Sequence, residues 1–344
     1  MAPPFFIGLF GGGPSGPPAA PTLTAPADNT EIYQGQVVTV AATTTDGDLD
    51  QLEWVIDPGT GGETVVASDA SSPYSSSWVV PGSLATGAHT MVARAWRGGL
   101  YTDSAPIDLF HWSPALLTSL KLWLRADTGV THVAGAVSAW APKGGDSSTC
   151  TQGTEAAKPT YSDTSGPGGT RPGISFDAGD YLSGTMTGWS AGDSGSIVIV
   201  GKLTDTSNRA FIDLNDTNTT ANRSLSVLSA GATTLYGRAA NGSGTSDVIG
   251  TNVVTGAWKW WTFIHRTAQR EIRQNGTLMS GTNPAVASRS ILAPAHYRVG
   301  GLFGGTPLFG LLGSVSDVIA TRAELTAGER TSLAGYMQHF WGIT

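Results

Sequence analysis

The sequence predicts an all-β protein made of two successive sandwiches, and three observations carry that reading. Charged residues make up only 13% of the 344, low for a helical enzyme. Glycine is unusually frequent, at 46 residues, and Ser and Thr abound. Short apolar or alternating runs are divided throughout by Gly, Pro, Asn and Asp clusters, the punctuation of strands and turns. The length suits two ordinary domains. An apolar content of 40% is enough for two cores, so disorder is not expected.

Residues 1–21 stand apart. Phe5, Phe6, Ile7, Leu9 and Phe10 crowd into the first ten residues, and a Gly/Pro-rich linker follows at 11–18. So few apolar side chains make no core of their own, and exposed they form an interaction patch. The sequence assigns them to docking on a partner, against the alternative of folding back on their own domain.

Residues 22–112 read as one sandwich. Residues 37–42 form a β run. Leu52, Trp54 and Ile56 share one face of an alternating strand, and residues 89–96 alternate again. The turn spacing suits an immunoglobulin-like sandwich. Thr24-Ala25-Pro26-Ala27-Asp28-Asn29, Tyr33-Gln34-Gly35-Gln36 and Asp46-Gly47-Asp48-Leu49-Asp50 resemble bacterial and phage Ig-like repeats. That resemblance implies a spacer or adhesive module without chemistry. Asp46, Asp48 and Asp50 are close enough to suggest calcium, but no EF-hand Glu follows, so the turn reads as a solvated loop. Pro114 marks the junction to the second domain, residues 113–344.

In the second domain, Leu120-Lys121-Leu122-Trp123-Leu124-Arg125-Ala126-Asp127 reads as an opening strand. Val137-Ser138-Ala139-Trp140-Ala141-Pro142 follows, then the run Gly173 to Leu182 and the buried-type strand Ser196 to Lys202. Paired strands at 260–266 and 271–276 end in Asn275-Gly276, a strong hairpin signal. In this order they resemble a concanavalin A/laminin-G-like jelly roll, with Pro142 standing where that family has Asp. A short helix closes the chain. Thr326 with Glu329 makes a capping box, Leu333, Tyr336 or Met337, and Phe340 share a face, and Gly342 stops it.

The jelly-roll resemblance admits lectins and glucanases. The glucanases carry paired acids on one strand, which hydrolysis of a glycosidic bond requires. After Glu155 the only glutamates are Glu271, Glu324 and Glu329, isolated from one another. The six His form no zinc spacing. There is no nucleophile elbow and no phosphate loop. The sequence therefore predicts no enzyme. For glycan stacking it offers Trp189 and Tyr236, in turn-rich stretches. It calls for no cofactor, although Asp213, Asn215 and Asp216 also gather oxygens that suit calcium.

Charge and length exclude further classes. The net charge is −7, and residues 22–110 hold two basic against eleven acidic residues. No basic stripe supports nucleic-acid binding. Cys150 is the sole cysteine, so no intrachain disulfide forms. No run approaches the roughly 20 apolar residues of a membrane span, and the N-terminus lacks the basic start of a signal peptide.

The arm, Ig-like module and jelly roll together resemble bacteriophage virion structural proteins. The resemblance implies a capsid decoration, head fibre or tail appendage on the virion surface, assembled in the host cytoplasm. Its partners would be other virion proteins through the arm, further copies of itself (trimers are frequent in such appendages) and a host-surface glycan. The alternative is a secreted or cell-surface bacterial carbohydrate-binding protein.

Overall fold

Leu52, Trp54 and Ile56 do point into one core, as their alternation requires. The computed structural model describes residues 16–205, 207–217, 223–229, 233–240, 245–251, 253, 255–266, 269–280, 291–303 and 309–344. Phe5, Phe6, Ile7, Leu9 and Phe10 lie outside the described residues. The chain divides between Trp112 and Ser113 into two units.

The first unit is an Ig-like sandwich. Its strands are β1 (Thr22–Ala25), β2 (Thr30–Ile32), β3 (Val37–Thr43), β4 (Gln51–Ile56), β5 (Thr64–Asp69), β6 (Ser75–Val79), β7 (Gly87–Arg97), β8 (Leu100–Asp103) and β9 (Ile107–His111). One sheet runs β1-β3-β6, and the other β2-β9-β7-β4-β5 with β8 on β7. Between them lie Ile32, Val40, Trp54, Trp78, Met91 and Leu109.

The acidic turn has a structural occupation. Asp48 pairs with Arg97 at 2.9 Å, Asp46 accepts from the Ala19 amide, and Asp50 accepts from the Gly98 amide. Arg97 also donates to the carbonyls of Gly16 and Pro17, and Thr102 donates to that of Pro18. The end of the Gly/Pro-rich segment, read as a linker, is thus fastened to the β7–β8 hairpin from Gly16 onward.

The second unit opens with β10 (Leu120–Arg125), β11 (Val130–Val133), β12 (Ala136–Trp140), β13 (Cys150–Thr151), β14 (Thr160–Ser162), β15 (Gly173–Phe176) and β16 (Leu182–Thr185). It continues with β17 (Gly195–Leu203), β18 (Arg209–Asn215), β19 (Arg223–Ser229), β20 (Thr234–Ala240) and β21 (Thr245–Thr251). It ends with β22 (Lys259–His265), β23 (Arg270–Gln274), β24 (Thr277–Leu278), β25 (His296–Val299), β26 (Gly313–Thr321) and the helix α1 (Ala327–Trp341).

Two layers result. The first holds β10 and β15 beside β26, then β17, β22, β23 and β24. The second runs β13-β16-β25-β18-β19-β20-β21. The β12–β13, β12–β14 and β14–β15 pairs join them at one edge, so the ladder closes on itself. Both inner faces feed one core, including Trp140, Ile197, Phe211, Trp261, Phe263 and Tyr297. Gly237 can carry no side chain, because the Phe263 ring occupies the place of a Cβ. Asn275 and Gly276 both adopt positive φ (48° and 76°), so the expected hairpin turn forms.

Strand β26 is buried along its whole length, and β17 nearly so. Helix α1 explains the burial of its own apolar stripe, Leu333, Tyr336, Met337, Phe340 and Trp341. A 15-residue helix is marginal alone in water. Each buried large side chain contributes about 1.5–3 kcal/mol, so docking decides its stability. The capping box is present in both directions, and Gly342 ends the helix at φ 66°. Under the helix, Tyr336 Oη and Trp341 Nε1 both donate to Asp317 Oδ2, at 2.9 and 3.0 Å. Burial pushes this carboxyl up to about 6, against the opposing pull of the Trp341 hydrogen bond and Arg125.

A cleft on the outer face of the second sheet

Alternation along β18–β21 and β25 sends Phe211, Leu214, Val227, Leu235, Val248 and Tyr297 inward. Their neighbours face outward, and register aligns them into rows. One row crosses six strands: Ser183, Arg298, Asp213, Ser226, Arg238 and Asp247. Its charges alternate in sign, and its members are bonded in three neighbouring pairs. Arg298 Nε donates to Ser183 Oγ at 3.1 Å, and Ser226 Oγ donates to Asp213 Oδ1 at 2.5 Å. Arg238 grips Asp247 with two parallel bonds of 2.8 Å. These bonds, Asp247's foremost, raise the Arg238 guanidinium above its ordinary range and keep it charged.

The row has a covered end and an open end. Arg298 lies between the rings of Tyr181 and Phe303, 4.2 and 4.5 Å from their centroids, and donates to the Leu302 carbonyl. Asp213 is 0% exposed, and its Oδ2 accepts from the Phe303 amide. At the other end, Arg238 and Asp247 reach a cleft of about 310 Å³, lined also by Asn208, Leu228, Ser229, Tyr236 and Phe309.

An apolar row runs beside the polar one: Ala210, Leu228, Tyr236 and Ile249. Ala210 and Leu228 pack with Leu302, and half-buried Tyr236 rests against them. Phe309 (39% exposed) forms part of the rim. The cleft thus sets the aromatic side chains of Tyr236 and Phe309 beside a planar donor–acceptor pair. Asp247 is the only acidic residue among the described residues lining it, and it is already paired.

The sequence-derived candidates fare unequally. Tyr236 lines the cleft. Trp189 does not: it is 7% exposed and belongs to the core, with its ring where a Cβ on Gly195 would sit. Its turn-rich context suggested exposure, but the turns carry it inward. Asp213, Asn215 and Asp216 do not form the expected oxygen cage. Asp213 is committed to Ser226 and Phe303, and Asn215 Oδ1 accepts from the Thr217 amide. Asp216 contributes one oxygen, Oδ1, with no hydrogen-bond partner among the described residues. No cluster of three or more His, Cys, Asp or Glu able to hold a metal occurs among those residues. Sequence reasoning missed Arg238, Asp247 and Arg298. The available signal was two alternating runs around Asn241-Gly242, with opposite charges at facing positions.

Comparison with known proteins gives the first unit a family likeness. Residues 21–93 match the family model described as a bacterial Ig domain. No curated protein matches the sequence. Among solved structures, the fibronectin(III)-like modules of Clostridium thermocellum CbhA share 20% identity, over 26% of this chain and 93% of theirs, at a TM-score of 0.22. Domain 4 of AbnA, an extracellular arabinanase from Geobacillus stearothermophilus solved with arabinotriose, shares 18% over 63% of this chain and 98% of its own, at 0.39. Trypanosoma rangeli sialidase shares 8% over 73% of this chain, at 0.43, and this chain spans 43% of its length.

Proposed function

We propose that the second sandwich is a non-catalytic glycan-binding module, carried by an Ig-like spacer, and that the ligand seats in the cleft at Tyr236, Arg238 and Asp247. The observation that supports this most is the junction of the two rows. A sugar ring has an apolar C–H face and a rim of hydroxyls, and the cleft offers an aromatic face beside a hydrogen-bonding rim. Turnover would need two carboxyl groups flanking the bond. The single acid among the described residues lining the cleft is held by an arginine.

The setting we propose is a bacteriophage virion surface. Phe5, Phe6, Ile7, Leu9 and Phe10 would anchor the chain, as a decoration, fibre or tail appendage, in homo-oligomeric form. A bacterial secreted or cell-surface protein is the alternative setting, and the cleft would serve it equally. Binding of the full chain to a glycan array, with Tyr236→Ala alongside, tests the module. A loss of at least tenfold, about 1.4 kcal/mol, is expected for the variant. Equal binding by both proteins would place the ligand elsewhere. Deletion of residues 2–13 tests the setting: assembly into virions should fail, and unchanged incorporation refutes the anchor.

A further inference from the structure

Resting on that glycan-binding reading, we infer that the cleft selects an uncharged sugar through a vicinal diol, and that Asp247 is the residue that excludes acidic sugars. Three features of the site lead there. The first is charge compensation. Arg238 is the only basic residue among the described residues lining the cleft, and Asp247 sits on it with two bonds of 2.8 Å. The next charges along the row, Asp213 and Arg298, also oppose each other on facing strands. A carboxylate entering the cleft would gain the arginine's attraction and meet the aspartate's repulsion at nearly the same distance.

The second feature is the remaining hydrogen-bonding capacity. Arg238 uses Nε and one hydrogen of Nη2 on Asp247, which leaves the two Nη1 hydrogens and the other Nη2 hydrogen. Each Asp247 oxygen keeps a further lone pair. The pair therefore presents donors beside acceptors along one edge. Adjacent hydroxyls, each able to donate and accept, match that edge. A carboxylate, which only accepts, would leave the Asp247 lone pairs facing like charge.

The third feature is shape. Tyr236 and Leu228 lie two residues from Arg238 and Ser226 on the same face of their strands, so the apolar surface runs beside the polar edge. At about 310 Å³ the cleft lies at the small end of ligand sites. It suits a terminal mono- or disaccharide.

The test is a binding titration of the full chain against matched neutral, sialylated, uronic-acid and sulfated oligosaccharides, with Asp247→Asn and Tyr236→Ala compared. Circular dichroism confirms folding of each variant. Wild-type protein should bind neutral glycans at least tenfold more tightly than their acidic counterparts. Asp247→Asn uncovers the arginine and should lose neutral binding while gaining acidic glycans by tenfold or more. Tyr236→Ala should weaken every ligand. Wild-type preference for an acidic glycan, or an unchanged preference in Asp247→Asn, overturns the inference but leaves the glycan-binding reading standing. Binding of no glycan at all overturns that reading itself.

Discussion

Replacing Asp317 by Asn should remove the pH dependence that this buried carboxyl imposes on the second sandwich. The carboxyl is fully buried under α1, and burial raises it from 3.8 to about 6. A folded-state value above the unfolded one means that ionisation opposes folding. The penalty is absent at low pH, grows between about pH 4 and 6, and is complete above 6. Its full size is the shift multiplied by about 1.4 kcal/mol per unit, or roughly 3 kcal/mol. Asparagine keeps an acceptor for Tyr336 Oη and Trp341 Nε1 and cannot ionise. The stability difference between variant and wild type should therefore move in the variant's favour by about 2–3 kcal/mol from pH 4 to pH 8. Urea unfolding followed by tryptophan fluorescence at several pH values measures it. A pH-independent difference, or one moving the other way, would refute the reasoning. It would mean that the charge of Arg125, whose guanidinium lies 3.9 Å from the Phe340 ring centroid, outweighs desolvation.

Three further outcomes are expected. Trp189→Ala should destabilise the second sandwich by about 3–5 kcal/mol, the cost of emptying a core tryptophan site, while the surviving folded fraction binds glycan unchanged. Gly237→Ala should cost about 1–3 kcal/mol or more by forcing a methyl into the Phe263 ring, read as a lower urea midpoint. Arg97→Ala removes the donors to Gly16 and Pro17, so limited proteolysis near residues 16–20 should accelerate several-fold with the Ig-like core still folded.

What was legible in the sequence was whatever acts locally. The alternation of Leu52, Trp54 and Ile56, the Asn275-Gly276 turn and the Thr326/Glu329 cap each state their geometry within a few residues, and each is found as read. The cleft is assembled from five separated stretches, and its decisive pairing, Arg238 with Asp247, exists only once the β20–β21 register is set. Trp189 was misplaced for the complementary reason. Turn composition signals a change of direction, and it does not say which side of the turn faces the core. Asp213 looked like a ligand because it is acidic and near Asn215, yet its partners Ser226 and Phe303 come from β19 and a distant loop.

The six-strand row also bears on how the second sheet finds its pairing. Sliding one strand by a single residue would turn its apolar side chains outward, which burial forbids. A slide of two residues keeps the apolar side chains inward and is the more dangerous error. Here it would carry Asp213 away from Ser226 and Arg298 and set Leu228 against the position of a charged neighbour. A two-residue slip between β18 and β19 would take the Ser226 hydroxyl from buried Asp213, and one between β20 and β21 would part Arg238 from Asp247. The pair that shapes the cleft thus also marks the β20–β21 register, and a sheet misaligned there lacks the donor–acceptor edge.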